Sequence, residues 1–440
     1  MNRIVLIGNG FDIAHLLKTS YKDFIEYLWK GIYDELKNKT YLPNGNDDHN
    51  FKDSQELIDI PYSTLENREG QIVLTYNGTE YITSELNEEY IADIKGFINT
   101  IQKINPIYPN IIFKTISFNY IEKNWSDIEA DYYRELKNCK DSNVESLNKS
   151  FLQIKGLLRN YLSALEAETS ITEIDTIMYS PIIPEHIKIT RLQIVCDYLN
   201  EKISRLDNVS KKKIKDYLTR KEVVKSDFSV SYGSETEDVI EARNIVPDDI
   251  LRKSLFKDEY KDILDPESIL FLSFNYTDTI KQYESEKKSV ETIQIHGTLG
   301  ATEEMIFGYG DEDDEKYKEL EMSEIPGMLD NVKSINYLQS SNYRNLERFI
   351  ESGPYQIFIM GMSCGLADRT LLRKLFQHKN CISILPYYYE YKDKEGNSKD
   401  NFSGLIQNIS RCFSDKDLLR SIVVDKTKCS PLPQMQHNNI

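Results

Sequence analysis

The sequence lacks an excess of positive charge. Among its 440 residues, 54 Lys and Arg stand against 71 Asp and Glu, and the formal net charge is −17. A chain that wraps nucleic acid through general electrostatics needs the opposite balance. The basic segment at 211–215 is better explained as a solvated helix face than as a nucleic-acid patch. We therefore expect no nucleic-acid partner.

Closely spaced cysteine pairs are also missing. Six cysteines are present, and no two of them form a C-x-x-C pattern. This spacing speaks against a zinc ribbon and against a disulfide framework. Scattered thiols of this kind are typical of a reducing compartment. The sequence predicts a cytoplasmic protein that needs no metal.

Long apolar runs are absent as well. No stretch approaches the roughly 18 apolar residues that a membrane span requires, so we expect no membrane partner. An apolar strand pattern begins near residue 3, which leaves no room for a signal peptide ahead of the fold. Hydrophobic residues make up 40% of the chain and charged residues 28%. This is the balance of a globular protein, and its length allows two or three domains.

The first residues of the chain carry the strongest local pattern. Residues 4–7 form a continuous aliphatic run, which predicts a strand buried on both faces. Gly8-Asn9-Gly10 follows at once, and an amphipathic pattern comes next. Such a junction directs backbone N–H groups and a helix N-terminus to one point where a phosphate can bind. Ile13 stands where the dinucleotide fingerprint has its third glycine, so a turn that needs glycine only for its backbone angles stays open.

Asp12 follows this turn and has two interpretations. It is either an ordinary helix cap or a group directed into the pocket, and the spacing does not separate the two. His15, one helical turn after the glycines, faces either the pocket or the core.

The rest of the chain alternates between helical and strand patterns. Residues 71–83 predict a β-hairpin on an Asn-Gly turn, the pattern from 86 to 260 is mostly helical, and apolar strands return after 260. We expect a Rossmann-like α/β fold, a parallel sheet with helices on both faces. The predicted domains are a discontinuous nucleotide-binding core at 1–40 and 260–425, a mainly helical insertion with the hairpin at 41–259, and a disordered tail at 426–440.

Five predicted strands share one feature, since each is followed directly by small or polar residues. The strands are 4–7, 268–274, 292–295, 305–307 and 355–360, and further strands are predicted at 381–385 and 421–424. The residues that follow the five are Gly8-Asn9-Gly10, Asn275, His296-Gly297, Gly308, and Gly361 with Ser363. Ligands of an open parallel sheet bind at the carboxyl ends of its strands, so these groups should converge on one nucleotide site.

Several longer motifs appear in a fixed order along nearly the whole chain. They are Ile7-Gly8-Asn9-Gly10-Phe11-Asp12 with Thr19-Ser20-Tyr21, Asn124-Trp125-Ser126-Asp127-Ile128-Glu129, Ser273-Phe274-Asn275-Tyr276-Thr277, Ile295-His296-Gly297, Ile306-Phe307-Gly308-Tyr309-Gly310, and Gly361-Met362-Ser363 with Asp368. Together they resemble the bacteriophage abortive-infection AbiH family, which in turn is similar to the sirtuin-like superfamily.

This resemblance implies a set of roles around a bound NAD. Asn275 would orient a water or the nicotinamide ribose, and His296 would act as a base or as a hydrogen-bond partner of the ribose hydroxyls. The glycine turn would line the phosphates, and Ser363 would lie at the adenosine side. The full set of implied cofactor-binding residues is Gly8, Asn9, Gly10, Phe11, Asp12, Gly297, Gly308, Gly361, Ser363 and Asp368.

Two departures from the sirtuin-like pattern narrow the function. Thr277 occupies the position where an Asp usually follows the Asn, and the zinc-binding cysteines of the protein deacylases are missing. The deacylase reaction is thereby excluded, which leaves NAD hydrolysis or NAD and ADP-ribose binding. Cleavage of the nicotinamide–ribose bond passes through an oxocarbenium-like state, and it needs a positioned nucleophile and a dry pocket. A His and a neutral amide suit that task.

We expect an anti-phage abortive-infection protein that hydrolyses the nicotinamide–ribose bond of NAD or of a related nucleotide. The alternative is a non-catalytic sensor that binds NAD or ADP-ribose and acts through its helical insertion. A nuclease is poorly supported, because no carboxylate cluster has metal-ligand spacing. The sequence does not determine which nucleotide is bound. It also leaves open whether the protein forms a homo-oligomer and whether a phage-derived molecule triggers it.

Overall fold

The computed structural model describes most of the chain. The described residues are 1–40, 50–68, 70–83, 92–123, 127–165, 170–183, 186–187, 189–205, 208, 265–285, 289–300, 304–393 and 395–435. The basic segment at 211–215 and residues 124–126 of the Trp-containing motif lie outside them.

The strands range from three to seven residues. In chain order they are β1 (Asn2–Ile7), β2 (Asn50–Lys52), β3 (Asp59–Pro61), β4 (Thr64–Arg68), β5 (Gln71–Tyr76), β6 (Thr79–Ile82), β7 (Ser268–Ser273), β8 (Ser289–Gln294), β9 (Tyr355–Met360), β10 (Cys381–Tyr387), β11 (Glu390–Lys392) and β12 (Ser398–Asp400).

The α-helices of the described residues lie between these strands and after them. They are α1 (Asn9–Ala14), α2 (Tyr21–Lys39), α3 (Ala92–Lys103), α4 (Ile111–Lys123), α5 (Ile128–Asn138), α6 (Val144–Ser163), α7 (Thr172–Met178), α8 (Ile189–Ser204), α9 (Glu315–Met322), α10 (Lys333–Asn336), α11 (Asn342–Glu351), α12 (Arg369–Gln377), α13 (Phe402–Arg411) and α14 (Lys416–Ile422).

Five strands form a parallel sheet in the order β10-β9-β1-β7-β8. Strand β1 is central, and in its register Ile4 pairs with Leu270 of β7 and with Ile357 of β9. All six residues of β1 are buried, as expected for a strand covered on both faces. Helices α8, α12 and α14 contact β10, and α11 contacts β8. The predicted α/β class with a parallel sheet flanked by helices is confirmed.

The strand order reverses at β1. The chain places β7 and then β8 on one side of β1, and afterwards β9 and then β10 on the other. This is the Rossmann strand order without its sixth strand, and ligands of such sheets bind outside the carboxyl ends of the strands where the order reverses. The crevice between β1 and β9 is therefore the expected ligand position.

The described residues form two units. The first comprises those within Met1–Leu16, Ala167–Thr298 and Tyr337–Ile440, and it contains the parallel sheet. One of its apolar clusters joins the sheet to α1 and α7. The buried members are Val5, Ile7, Phe11, Ala14, Ile174, Met178, Ile269, Phe271, Ile280, Tyr283, Phe358, Met360, Leu385, Tyr387, Val424 and Leu432.

The second unit comprises the described residues within Leu17–Glu166 and Leu299–Asn336. Helix α2 begins with a capping box, in which the Asp23 N–H donates to Ser20 Oγ and the Ser20 N–H donates to Asp23 Oδ2, and this satisfies two N–H groups at the helix start. Trp29 of α2 packs 5.1 Å from the Phe113 ring centroid, and its Nε1 donates to Ser117 Oγ. A buried Trp with its N–H satisfied anchors α2 on α4.

The hairpin prediction is confirmed within this unit. Strands β5 and β6 pair in antiparallel fashion around Asn77 and Gly78, whose φ angles are +48° and +77°. Positive φ at both central residues is the reason for an Asn-Gly turn. Strand β4 adds a third strand to the same sheet. The domain limits predicted from the sequence, including the helical insertion at 41–259, stay predictions.

Two predicted strands do not form. Residues 305–307 are buried but have no strand partner, and only Tyr309 forms an isolated bridge with Val332. Residues 421 and 422 end α14, and Val423 then forms an isolated parallel bridge with Ile384 of β10. Both segments are apolar as expected, but each forms at most a single bridge in place of a strand ladder. An apolar run alone does not separate the two outcomes.

The predicted disorder of 426–440 does not hold for residues 426–435. Leu432 is buried in the apolar cluster of the first unit, and the Met435 N–H donates to the Ala14 carbonyl. The apolar side chain of Leu432 gives this segment a surface to bury, which ordering requires. Residues 436–440 lie outside the described part of the chain.

Candidate functional site

The carboxyl ends of four sheet strands lead directly into predicted site residues. Gly8 follows β1, Asn275 lies two residues after β7, His296 lies two residues after β8, and Gly361 follows β9. All four belong to the first unit. Because the strands are parallel, these four positions lie at one edge of the sheet. That they form one nucleotide site stays a prediction.

The two glycine turns pack backbone against backbone where β1 and β9 end. The Gly10 N–H donates to the Gly361 carbonyl at 2.7 Å. A Cβ atom on Gly361, whose φ is +70°, would lie 2.0 Å from the Phe11 nitrogen. A Cβ on Gly8 would lie 2.5 Å from Met362 Cα. Glycine is required here because the two turns approach too closely for a side chain.

The backbone donors of the first turn already have partners within the chain. The Gly8 N–H donates to the Met360 carbonyl, Gly10 donates to Gly361, and Phe11 donates to Gly8. The Asn9 side chain is exposed. Phosphate binding at this turn stays a prediction, and it would require these donors to exchange or share their partners.

Asn275 ties the end of β7 to the first turn. Its Nδ2 donates to the Gly8 carbonyl at 3.0 Å, and its backbone N–H donates to Ser273 Oγ at 3.2 Å. The side chain is buried. The amide is therefore held in one orientation between the two central strands, as a positioning group needs to be.

Asp12 does not cap a helix. Its carboxylate is 1% exposed, and Oδ2 accepts from Thr277 Oγ1 at 2.6 Å. Oδ1 has no hydrogen-bond partner among the described residues. Burial raises the pKa of Asp12 to about 6, although the Thr277 hydrogen bond and the nearby polar side chains of Thr279 and Asn275 act in the opposite direction. The cap interpretation is wrong, and Asp12 joins α1 to the segment after β7.

His296 is buried and held at both ring nitrogens. Nδ1 lies 3.1 Å from the Phe274 carbonyl, which only accepts, so Nδ1 carries a proton. Nε2 lies 3.2 Å from Tyr337 Oη and 3.1 Å from Asp368 Oδ1. A protonated ring donates to the carbonyl and to the carboxylate at once, whereas a neutral ring accepts from the tyrosine hydroxyl. Nε2 is thus the nitrogen at which a proton can be gained or lost.

Three further predicted residues of the first unit lie on the loops that follow β8 and β9. Gly297 is buried with φ +75° and turns the chain directly after His296. Ser363 is exposed, and its carbonyl accepts from Asn408 Nδ2 at 2.8 Å. Asp368 ends the short 3₁₀ helix Leu366–Asp368 and reaches His296. The structure therefore pairs a predicted cofactor-binding residue, Asp368, with the predicted catalytic histidine.

Two parts of this site were not predicted from the sequence. Tyr337 contacts His296 through its hydroxyl and lies parallel to the imidazole ring, 41 residues further along the chain. Thr277 was noted only as a departure from a pattern, and its bond to Asp12 spans 265 residues.

His15 is buried between Phe11 and Tyr283, and its Nε2 lies 2.5 Å from the tyrosine hydroxyl. Of its two interpretations, the core one is correct.

Gly308 does not follow a strand of the sheet, so that prediction is wrong. It belongs to the second unit, where its N–H donates to Glu129 Oε1 at 3.0 Å. A Cβ there would lie 1.9 Å from the Asn331 carbonyl oxygen. Glycine is needed because two backbone segments touch, which is a packing requirement and places no ligand.

Metal-binding clusters and membrane-spanning helices were both sought among the residues that the structure describes. No group of three or more His, Cys, Asp or Glu side chains there is arranged to hold a metal ion. No helix of those residues combines the length and the apolar composition that membrane crossing requires.

Comparison with known proteins gives one match. A family model described as bacteriophage abortive infection AbiH matches residues 4–389, which include every predicted site residue. No curated protein and no solved structure matches the chain. The family match supports a role in abortive infection by bacteriophage. The chain belongs to the bacteriophage abortive infection AbiH family.

Proposed function

We propose that this protein hydrolyses the nicotinamide–ribose bond of NAD, or of a related nucleotide, as its part in abortive infection. The reaction would take place at the sheet edge where β1 and β7–β9 end, and its residues would act as those of a sirtuin-like site. The observation that carries the proposal is the meeting of Asn275, His296 and Asp368 with two glycine turns at the point where the strand order reverses. Such a point is the usual nucleotide site of this architecture.

The residues divide the work of the reaction. Asn275, locked by the Gly8 carbonyl, would orient the ribose or the attacking water. His296 would bind the ribose hydroxyls through Nε2, with Asp368 and Tyr337 setting its proton. Removal of nicotinamide leaves an oxocarbenium-like sugar, and orientation in a buried pocket accelerates that step more than a strong acid does.

A sensor that binds NAD or ADP-ribose without turnover is the second candidate. It is favoured by the N–H groups of Gly8, Gly10 and Phe11, all of which donate within the chain, and by Thr277 at the position of the usual Asp. In this case, ligand binding would change the contacts of the glycine turns and the protein would signal through its helical region.

The test is NAD consumption by the purified protein, with and without phage lysate, followed as nicotinamide and ADP-ribose release. We expect turnover that Asn275→Ala and His296→Ala each reduce at least 100-fold. His378→Ala is a matched control, because His378 pairs with Glu351 at the C-terminal end of α12, whereas Asp368 lies at the N-terminal end of that helix. His378 is given no role in the site.

The outcomes separate the two candidates. Turnover that both site substitutions abolish and His378→Ala preserves would establish the hydrolase. Constant NAD, together with a melting temperature that NAD or ADP-ribose raises, would establish the sensor. The absence of both turnover and a thermal shift would exclude both candidates.

A further inference from the structure

The Asp12 carboxylate is only half satisfied. One oxygen accepts a short hydrogen bond from Thr277, and the other has no partner among the described residues although the side chain is 1% exposed. Leaving a buried acceptor without a donor costs free energy, and native folds usually avoid it. Several buried polar atoms of the described residues share this state. Asp12 Oδ1 is distinguished among them by its position beside the ends of β1 and β7, where a ligand or a reactant can complete it.

The neighbours of Asp12 distinguish it from a structural carboxylate. They are the hydroxyls of Thr277 and Thr279 and the amide of Asn275, all of them neutral. A buried carboxylate with a purely structural role normally has a cation or hydrogen-bond donors for both of its oxygens. The charge of Asp12 is instead kept between the ends of the two central strands, next to the amide that the hydrolase proposal uses.

We propose that Asp12 is the catalytic carboxylate of this site. Thr277 holds Oδ2, and Oδ1 accepts a proton from the water that replaces nicotinamide. This assignment rests on the proposed hydrolase function. It supplies that function with a base, because Thr277 occupies the position after β7 at which the sirtuin-like pattern has an Asp.

The step balances without a further reactant. The water oxygen forms a bond to the C1 atom of the ribose, and the bond from C1 to the pyridinium nitrogen breaks. Its electron pair stays on the ring nitrogen, which loses its positive charge, so nicotinamide leaves neutral. One water proton passes to Asp12 Oδ1 and then to solvent. The products are nicotinamide, ADP-ribose and one proton.

The protonation equilibrium of Asp12 is consistent with this role. Its pKa of about 6 leaves the carboxylate mostly ionised at neutral pH, while keeping it basic enough to accept a proton. No charged group is among the causes of this shift. His15, which directly follows α1, is engaged by the Phe11 carbonyl and by Tyr283.

The experiment compares Asp12→Asn with the wild type and with Asp53→Asn. Asp53 is the matched control, because it is also a buried carboxylate with a raised pKa, but it lies in the second unit and accepts from three backbone N–H groups. We expect Asp12→Asn to lower NAD turnover at least 100-fold without lowering the melting temperature. Asp53→Asn should keep turnover per folded protein within threefold. Turnover of Asp12→Asn within threefold of the wild type would overturn the assignment and leave the hydrolase in place.

A binding measurement decides the case in which the wild type does not consume NAD. ADP-ribose carries at C1 the hydroxyl that the attacking water would become, so Asp12 should bind it directly. We expect calorimetry to show that Asp12→Asn weakens ADP-ribose binding at least tenfold. That result would support direct contact between Asp12 and the ligand even if the protein does not hydrolyse NAD. Equal affinity, or no binding by either protein, would overturn the assignment of Asp12 as well.

Discussion

The two units each contain a buried carboxylate, and the two are satisfied in opposite ways. In the second unit, both oxygens of Glu129 lie 3.0 Å from Lys333 Nζ, and Oε1 also accepts from the Gly308 N–H. In the first unit, Asp12 has one hydroxyl donor and one oxygen without a described partner. The difference teaches that burial alone does not mark a site. A closed ion pair holds a fold together, whereas an open carboxylate has capacity for a ligand.

The largest effect should come from opening the closed carboxylate. Lys333→Met leaves the buried Glu129 charge without its cation, and we expect a loss of about 3–5 kcal/mol in the free energy of unfolding. Urea denaturation followed by circular dichroism measures it. The double variant Glu129→Gln/Lys333→Met should recover most of the loss. Lys137→Met, which breaks the partly exposed pair with Asp314, should cost about 1 kcal/mol or less. Equal costs for Lys333→Met and Lys137→Met would contradict the comparison.

Asp12→Asn should raise the free energy of unfolding, in contrast to Lys333→Met, and the gain should depend on pH. Because the pKa of Asp12 is raised from 3.8 to about 6 in the fold, the folded state holds the proton longer than the unfolded state as pH rises from about 4 to 6. Wild-type stability therefore falls across that window, and this contribution stays lost above it. Relative to pH 4, Asp12→Asn should gain up to about 3 kcal/mol over the wild type at pH 7.5. Unfolding curves at the two pH values test this, and a difference that does not change with pH would refute it.

The smallest effect should come from the hydroxyl that holds Asp12. Thr277→Val removes the donor to Oδ2 and keeps the shape, so we expect a loss of about 1–2 kcal/mol in stability. Turnover should fall in kcat rather than in KM, since the carboxylate is then poorly positioned. Thr277→Ser restores a hydroxyl and should return kcat to within threefold of the wild type. Failure of the serine variant to rescue kcat would show that the methyl group, and not the hydroxyl, is what matters.

Much of the architecture could be predicted because its cause is local. The aliphatic residues of β1 and the Asn77-Gly78 turn have patterns that only one structure satisfies well. The same reasoning failed at 305–307 and 421–424, because an apolar run records burial and does not record what covers it. The side of the sheet on which each strand lies was likewise not readable, since the pairing of β1 with β9 joins residues more than 350 positions apart.

The candidate site divides in the same way. Asn275, His296 and the glycine turns could be named from the sequence, because each directly follows an apolar strand. Tyr337 and the Thr277–Asp12 bond could not, because hydrogen bonds between distant segments leave no periodic trace. Gly308 followed the same rule as Gly8 and was misplaced. Both glycines are needed for close backbone approach, and the sequence does not say which backbone approaches.

By itself, the sequence determined the α/β class, the residues at the carboxyl ends of four strands, and membership of the AbiH family. These depend on the side-chain period of a strand and on the backbone freedom of glycine, which are properties of neighbouring residues. Only the tertiary structure decided that Asp368 reaches His296, that Thr277 holds Asp12, and that Glu129 is closed by Lys333. A buried charge takes its character from whatever the fold brings to it, and that partner can come from any part of the chain.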